Sequence, residues 1–171
     1  MHLLRFLDAR CVRLAMRTEA TPIPPEEGEG AMRRRVRHDL EAALGEIAEL
    51  LDASGAVVNV SKLTRDLINR ERKATTAILP GVAIPHVRTL QVRRFVMGLA
   101  RPVGDGLPFG GPDGAPTRLF LPLVSPPYDD RTYLLVYREL AQLLSDEELT
   151  ARLLAAADVQ DVFNILRGFF A

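Results

Sequence analysis

The amino-acid sequence predicts an α/β fold in which a mixed β-sheet is sandwiched between helices. Helix-spaced apolar residues follow a short strand-like stretch in the first third of the chain, and they return in the last third. The middle of the chain instead holds apolar runs of strand length. Strands enclosed by helical segments in this way are typical of a sheet covered on both faces. The length of 171 residues suits one domain spanning 1–171.

The first third is predicted to hold a strand, a loop and a helix. Residues 12–15 alternate weakly between apolar and polar side chains, which indicates a first strand. The acidic stretch that follows is rich in proline and glycine and predicts a mobile loop over 19–32. Apolar residues then recur at helical spacing over 36–51, and Gly55 is the predicted helix stop.

A second helix and the strands of the sheet are expected next. Ser61 is the predicted cap of this helix, which ends near Arg72. Residues 75–85 are rich in β-branched and small side chains and indicate a turn and a strand. Two further apolar runs, 95–100 and 119–124, have strand length, although Pro122 within the second indicates an edge or a bulge.

The last third is predicted to form three helices. Apolar residues have helical spacing over 133–144. Ser145 and Glu148 form a capping-box pattern that predicts the start of the next helix. Asp158 is the predicted cap of the final helix.

Composition excludes several classes of protein. Lys plus Arg and Asp plus Glu both number 22, so the chain lacks the basic excess that is typical of nucleic-acid binders. The single cysteine, Cys11, excludes an internal disulfide and indicates a half-buried strand thiol. Neither the acidic pairs nor the glycines have metal-binding or phosphate-binding spacing, so we expect no metal and no cofactor. With no apolar run of membrane-spanning length and no signal peptide, we expect a cytoplasmic protein without membrane insertion.

Among the histidines, His86 occupies the most distinctive position. It follows Pro85 at the end of the strand-like run Val82-Ala83-Ile84-Pro85-His86. Because proline removes a backbone donor, we expect strand pairing to end there and the imidazole to project into solvent. A lone histidine after proline is more often an incidental loop residue. The surrounding block therefore decides its interpretation.

That block resembles a known family. It consists of Arg70-Glu71, Thr75-Thr76 and Gly81-Val82-Ala83-Ile84-Pro85-His86. These residues are similar to those of the type-2 enzyme IIA domains of the bacterial phosphotransferase system (PTS). This is the fructose and mannitol class, which includes nitrogen-regulatory IIA proteins. The resemblance covers roughly 34–171, together with a first strand over 7–14. It implies a PTS IIA type-2 fold and a phosphohistidine relay in the cytoplasm.

The resemblance also implies roles for individual residues. His86 would accept a phosphoryl group, and the guanidinium of Arg70 would hold the phosphoryl oxygens. Arg70 could instead be a surface residue that ends its helix. Thr76 could donate a hydroxyl to the phosphoryl group or serve as a structural strand residue, while Glu71 is expected to stabilise the fold.

Three departures from the family pattern bear on this role. Tyr133 stands where many members have a second histidine, and its hydroxyl can donate a hydrogen bond to phosphate. The glycine-rich step before the histidine is replaced by residues 77–80, and Val87 replaces the usual glycine after it. Fewer backbone amides are then expected to cradle a phosphoryl group.

Two functions from different classes follow. In the first, His86 accepts phosphate from an HPr-like phosphocarrier or a nitrogen-branch homologue, and enzyme IIB or a regulatory target is the next partner. In the second, the chain is a non-phosphorylated interaction or sensor module of the same fold. A homo-oligomer is also left open, because Phe169-Phe170 could pack internally or against another subunit.

Overall fold

The computed structural model describes residues 3–171 and confirms a mixed sheet between two helical layers. The strands are β1 (Leu7–Arg13), β2 (Val82–Ala83), β3 (His86–Arg88), β4 (Val96–Ala100), β5 (Leu119–Phe120) and β6 (Leu123–Ser125). The helices are α1 (Glu29–Asp52), α2 (Val60–Lys73), α3 (Asp130–Leu144), α4 (Glu147–Ala155) and α5 (Val159–Phe170). Short 3-10 turns occupy Leu3–Arg5 and Pro112–Gly114.

The sheet is organised around β4. On one side β4 pairs in parallel with β1, and on the other it pairs antiparallel with β5 and β6. Beyond these, β2 pairs in parallel with β5, and β3 with β6. The same residue offset applies to both of these pairs, from Val82 opposite Leu119 to Arg88 opposite Ser125. Residues 82–88 therefore form one row of the sheet and 119–125 form the row beside it.

Two prolines interrupt these adjacent rows at the same level. Pro85 lies between β2 and β3, and the constant offset places it opposite Pro122, between β5 and β6. Pairing nevertheless continues, because the Pro85 carbonyl accepts from the Leu123 amide at 2.9 Å and the Pro122 carbonyl from the Gly98 amide at 3.1 Å. The prediction that pairing ends at Pro85 is therefore wrong. Proline lacks only the donor, and its carbonyl still joins the ladder.

The helices bury their apolar stripes against opposite faces of the sheet. One core cluster joins α1 and α2 to β4, with Leu44, Ile47 and Leu67 at most 2% exposed. The other joins α3, α4 and α5 to the opposite face, with Leu140 and Leu153 fully buried. Burial of apolar surface on both faces is what holds the helical layers to the sheet.

Several element boundaries differ from the sequence expectation. β1 begins at Leu7. Its Cys11 is fully buried rather than half-buried as predicted, and burial raises the pKa of the thiol to about 11. α1 begins at Glu29, since its apolar spacing extends back to Met32, so the last residues of the predicted loop 19–32 are helical. Thr21 in that loop donates to the buried carboxylate of Asp39. The mobility of the loop stays a prediction.

The helix caps divide into confirmed and corrected predictions. Asp158 caps α5 as predicted, accepting from the Asp161 amide at 2.8 Å. Asp146 rather than Ser145 caps α4, because α3 runs on to Leu144 and makes Ser145 its C-cap. Asn59 rather than Ser61 caps α2.

We expect Asn59→Ala to lower the free energy of unfolding by about 1 kcal/mol, because the Asn59 side chain satisfies an otherwise unpaired amide at the start of α2. Its Oδ1 accepts from the Lys62 amide at 2.9 Å. Urea denaturation measures the change. Ser61→Ala is the matched control, since Ser61 lies within the helix, and an equal loss in that variant would contradict the assignment of the cap.

Candidate functional site

His86 opens β3, in the row that continues from β2. Its position differs from the sequence expectation of an imidazole in solvent, because the residue is only 8% exposed. Side chains alternate along a strand, so His86 and Arg88 face the α3 side while Val87 packs with the α1 and α2 cluster. The ring is therefore enclosed between the sheet and the helix that covers this face.

The hydrogen bonds of the His86 ring define its tautomer. Nδ1 lies 2.7 Å from the carbonyl oxygen of Ile84, which can only accept, so Nδ1 carries the proton. Nε2 lies 3.3 Å from a terminal nitrogen of Arg70, which can only donate. Nε2 therefore presents its lone pair toward the guanidinium, and the backbone fixes the orientation of the ring.

Arg70 reaches His86 from the last turn of α2. One terminal nitrogen donates to the Ala74 carbonyl at 2.8 Å, beyond the end of the helix, and the other faces His86. The side chain thus has both the helix-ending contact and the proximity to His86 that the sequence left as alternatives. A guanidinium held by the backbone at one nitrogen keeps its remaining donors pointed at the ring.

Two tyrosines of α3 cover the histidine. The Tyr133 ring centroid lies 6.4 Å from that of His86, and the Tyr137 centroid lies 5.4 Å away in an edge-on arrangement. Arg88 lies over Tyr133, 5.5 Å from the ring centroid. Tyr137 falls within the predicted helical stretch 133–144 and was not among the predicted site residues. Its spacing of one helical turn from Tyr133 is the signal that could have placed it at the site.

Thr76 lies next to the site but is bonded elsewhere. Its amide and hydroxyl donate to the buried carboxylate of Glu71 at 2.7 and 2.6 Å, and burial raises the pKa of that carboxyl. The structure therefore brings His86, Arg70 and Tyr133 together, whereas the Thr76 hydroxyl points to Glu71. These contacts connect the end of α2 to the backbone that enters the site, where the Thr76 carbonyl accepts from the Ile84 amide.

The turn before the site uses its backbone amides within the fold. The Val82 amide donates to Leu79, and Gly81 adopts a positive φ of 84° that favours glycine. With the Ile84 amide also paired, the amides closest before His86 are occupied by backbone carbonyls. The charged group that contacts Nε2 is the guanidinium of Arg70.

Burial lowers the pKa of His86 below its ordinary 6.5, and the positive charge of Arg70 lowers it further, although the bond to Ile84 opposes both effects. The ring is consequently neutral at neutral pH. Within residues 3–171, no group of three or more His, Cys, Asp or Glu side chains could hold a metal ion. In the same range no helix is long and apolar enough to span a bilayer.

We expect the lowered pKa of His86 to make stability fall as the pH drops below about 6.5. In that range His86 binds a proton in the unfolded chain, whereas the buried ring of the folded protein stays neutral, so the unfolded state is favoured. The free energy of unfolding stops falling once the pH is below the pKa of His86 in the folded protein. Unfolding free energies of the wild type and His86→Gln, measured across this range, isolate the effect. Parallel pH profiles in the two proteins would contradict the lowered pKa.

Comparison with known proteins places this geometry in context. Residues 34–168 match the family described as phosphoenolpyruvate-dependent sugar phosphotransferase system, EIIA 2. A fructose-specific EIIABC component of the PTS from Bacillus subtilis is 28% identical over 126 residues, which are 74% of this chain and 20% of that protein. A nitrogen regulatory protein from Bradyrhizobium diazoefficiens is 31% identical over 100 residues, which are 58% of this chain and 65% of that one. The chain thus spans a fifth of the first relative and about two thirds of the second.

Solved structures share the fold. The nitrogen regulatory protein IIA-Ntr from Neisseria meningitidis superposes with a TM-score of 0.74 at 22% identity, over 95% of this chain and 97% of that one. The mannitol enzyme IIA of Escherichia coli, in complex with phosphorylated enzyme IIB, gives 0.68 at 21% identity, over 94% and 96%. The architecture and the sequence match agree, and the chain belongs to the EIIA 2 family of the phosphoenolpyruvate-dependent sugar phosphotransferase system.

Proposed function

We propose that this protein is a phosphocarrier or phosphorylation-dependent regulator that accepts a phosphoryl group on Nε2 of His86. The observation that carries the proposal is the pair of ring contacts, with Nδ1 on the Ile84 carbonyl and Nε2 facing Arg70. They leave one nucleophilic nitrogen, in a fixed orientation, beside a cation suited to phosphoryl oxygens.

The transfer requires no separate base. The Nε2 lone pair of His86 forms a bond to phosphorus while the bond between phosphorus and the donor nitrogen breaks, and that electron pair returns to the donor. Nδ1 keeps its proton, donated to Ile84. The positive charge that develops on the ring is balanced by the phosphoryl group, whose oxygens Arg70 holds.

The donor and the acceptor are proposed by analogy with the family. We propose an HPr-like phosphocarrier, or a nitrogen-branch homologue, as the donor. Enzyme IIB or a regulatory target protein is the proposed acceptor, which the mannitol complex supports, since it pairs an enzyme IIA with a phosphorylated enzyme IIB. The nitrogen regulatory relatives support a signalling use of the same phosphate.

Incubation of the purified protein with enzyme I, HPr and labelled phosphoenolpyruvate tests the proposal. We expect acid-labile label to appear on the protein and peptide mapping to place it at His86. Label only when a nitrogen-branch carrier replaces HPr would identify the donor. Absence of label with both carriers would overturn the proposal.

A second function is favoured by the enclosure of His86. The rings of Tyr133 and Tyr137 cover a histidine that is only 8% exposed, and Tyr133 stands where many members have a second histidine. This arrangement supports a non-phosphorylated interaction module that binds a partner through the surface around His86. Absence of label together with retained partner binding in His86→Gln would favour this function.

A further inference from the structure

An apolar groove lies between α1 and α2, away from the covered face of His86. Its apolar lining consists of Met32, Val36 and Leu40 on α1 and Ile68 on α2, and its volume is about 460 Å³. The three α1 residues recur every four positions, so they form one stripe along the helix. We call this surface the α1–α2 groove.

The groove exists because α1 is longer than α2. The helices contain 24 and 14 residues, which correspond to roughly 36 and 21 Å. Arg72, in the last turn of α2, bonds to Glu41 at 2.9 Å, so the α1 residues before Glu41 extend past the end of α2. This overhang leaves the apolar stripe partly uncovered, and Met32 is 41% exposed.

The charges around the groove leave one cation without a partner. Arg33 pairs with Glu29, Arg72 pairs with Glu41, and Glu71 accepts from Thr76. Arg37 also lines the groove, and among residues 3–171 no hydrogen bond or ion pair engages its guanidinium. The lining holds three carboxylates and three guanidiniums, and the buried Glu71 carboxylate is bonded to Thr76. The free guanidinium of Arg37 is therefore the charge available to an apolar group that carries a single negative charge.

We propose that the α1–α2 groove binds a small monoanionic amphiphile of the fatty-carboxylate class, with its alkyl chain on the apolar stripe and its carboxylate on Arg37. The volume lies within the range of small-ligand sites, roughly 300–1,000 Å³. The apolar stripe supplies the burial, and the free guanidinium supplies a charge-assisted bond. The site is independent of phosphoryl transfer at His86.

A small ligand fits this surface better than a partner helix. A helix laid in a groove is recognised by anchors over two or more turns of each partner, whereas Ile68 alone supplies the apolar lining on the α2 side. The compact apolar stripe and the free guanidinium of Arg37 instead suit a ligand with one alkyl chain and one charged head group.

Titration with dodecanoate below its micellar concentration tests the proposal, followed by methyl NMR of the full chain and by calorimetry. We expect saturable shifts confined to the methyl groups of Met32, Val36, Leu40 and Ile68. Arg37→Gln should weaken binding about tenfold, as expected for loss of one charge-assisted bond. Uncharged dodecanol should bind wild type as weakly as dodecanoate binds Arg37→Gln.

Arg34→Gln is the matched control, because Arg34 is a neighbouring exposed guanidinium that does not line the groove. Its affinity for dodecanoate should equal that of the wild type. Equal weakening in both variants would indicate a general basic surface and overturn the proposal. Shifts elsewhere, no saturation, or a dimer in light scattering that buries the stripe would overturn it as well.

Discussion

Replacement of His86 by Gln is expected to reduce phosphoryl transfer to this protein by on the order of 10³-fold or more, because the substitution removes the attacking nitrogen. The glutamine amide can still donate to Ile84 and accept from Arg70, the two contacts of the native ring. The variant should therefore keep its fold. Initial rates of labelling from the phosphorylated carrier measure the effect.

His38→Gln is the control for this experiment. Its imidazole lies on α1 and is exposed, with 81% of the side chain accessible. Labelling of this variant should match the wild type. Full labelling of His86→Gln, with loss of label in His38→Gln, would move the phosphorylation site to α1 and contradict the assignment.

Arg70→Lys is expected to slow transfer by about 10²-fold, the usual cost of removing one preorganised donor from a developing anion. A lysine ammonium keeps the charge but cannot bond the Ala74 carbonyl and two phosphoryl oxygens at once. The loss should appear in the maximal rate rather than in carrier affinity. Single-turnover labelling at saturating carrier separates these two quantities.

Arg65→Lys provides the matched change, since Arg65 is an exposed arginine on the same helix. It should transfer at the wild-type rate. Arg70→Gln should be slower than Arg70→Lys if the positive charge contributes. Equal rates for Arg70→Lys, Arg70→Gln and the wild type would assign Arg70 to helix termination alone.

The fold class could be predicted because the sequence repeats its helical spacing strongly in both flanking segments. Caps were less predictable, since Asn59 and Ser61 are equally good candidates by residue type. Only the start of the helix distinguishes them, and that start depends on tertiary packing. The short strands were also difficult, because β2 and β5 contain two residues each and carry too little pattern.

The sequence predicted the proximity of Arg70 to His86, but not the environment of the ring. The block around His86 identified Arg70 correctly as a neighbour at 3.3 Å. Burial of the ring could not be deduced, because it depends on the tyrosines of α3, more than forty residues later in the chain. The engagement of Thr76 by Glu71 is equally a product of where α2 ends.

The register of rows 82–88 and 119–125 has a consequence for the fidelity of folding. A slip of one residue between the two rows would turn Val87 toward the tyrosines and direct the imidazole into the apolar layer beneath α1 and α2. The alternation of side chains along the two rows thus makes their register decisive for the site, because only the observed alignment brings the imidazole to Arg70.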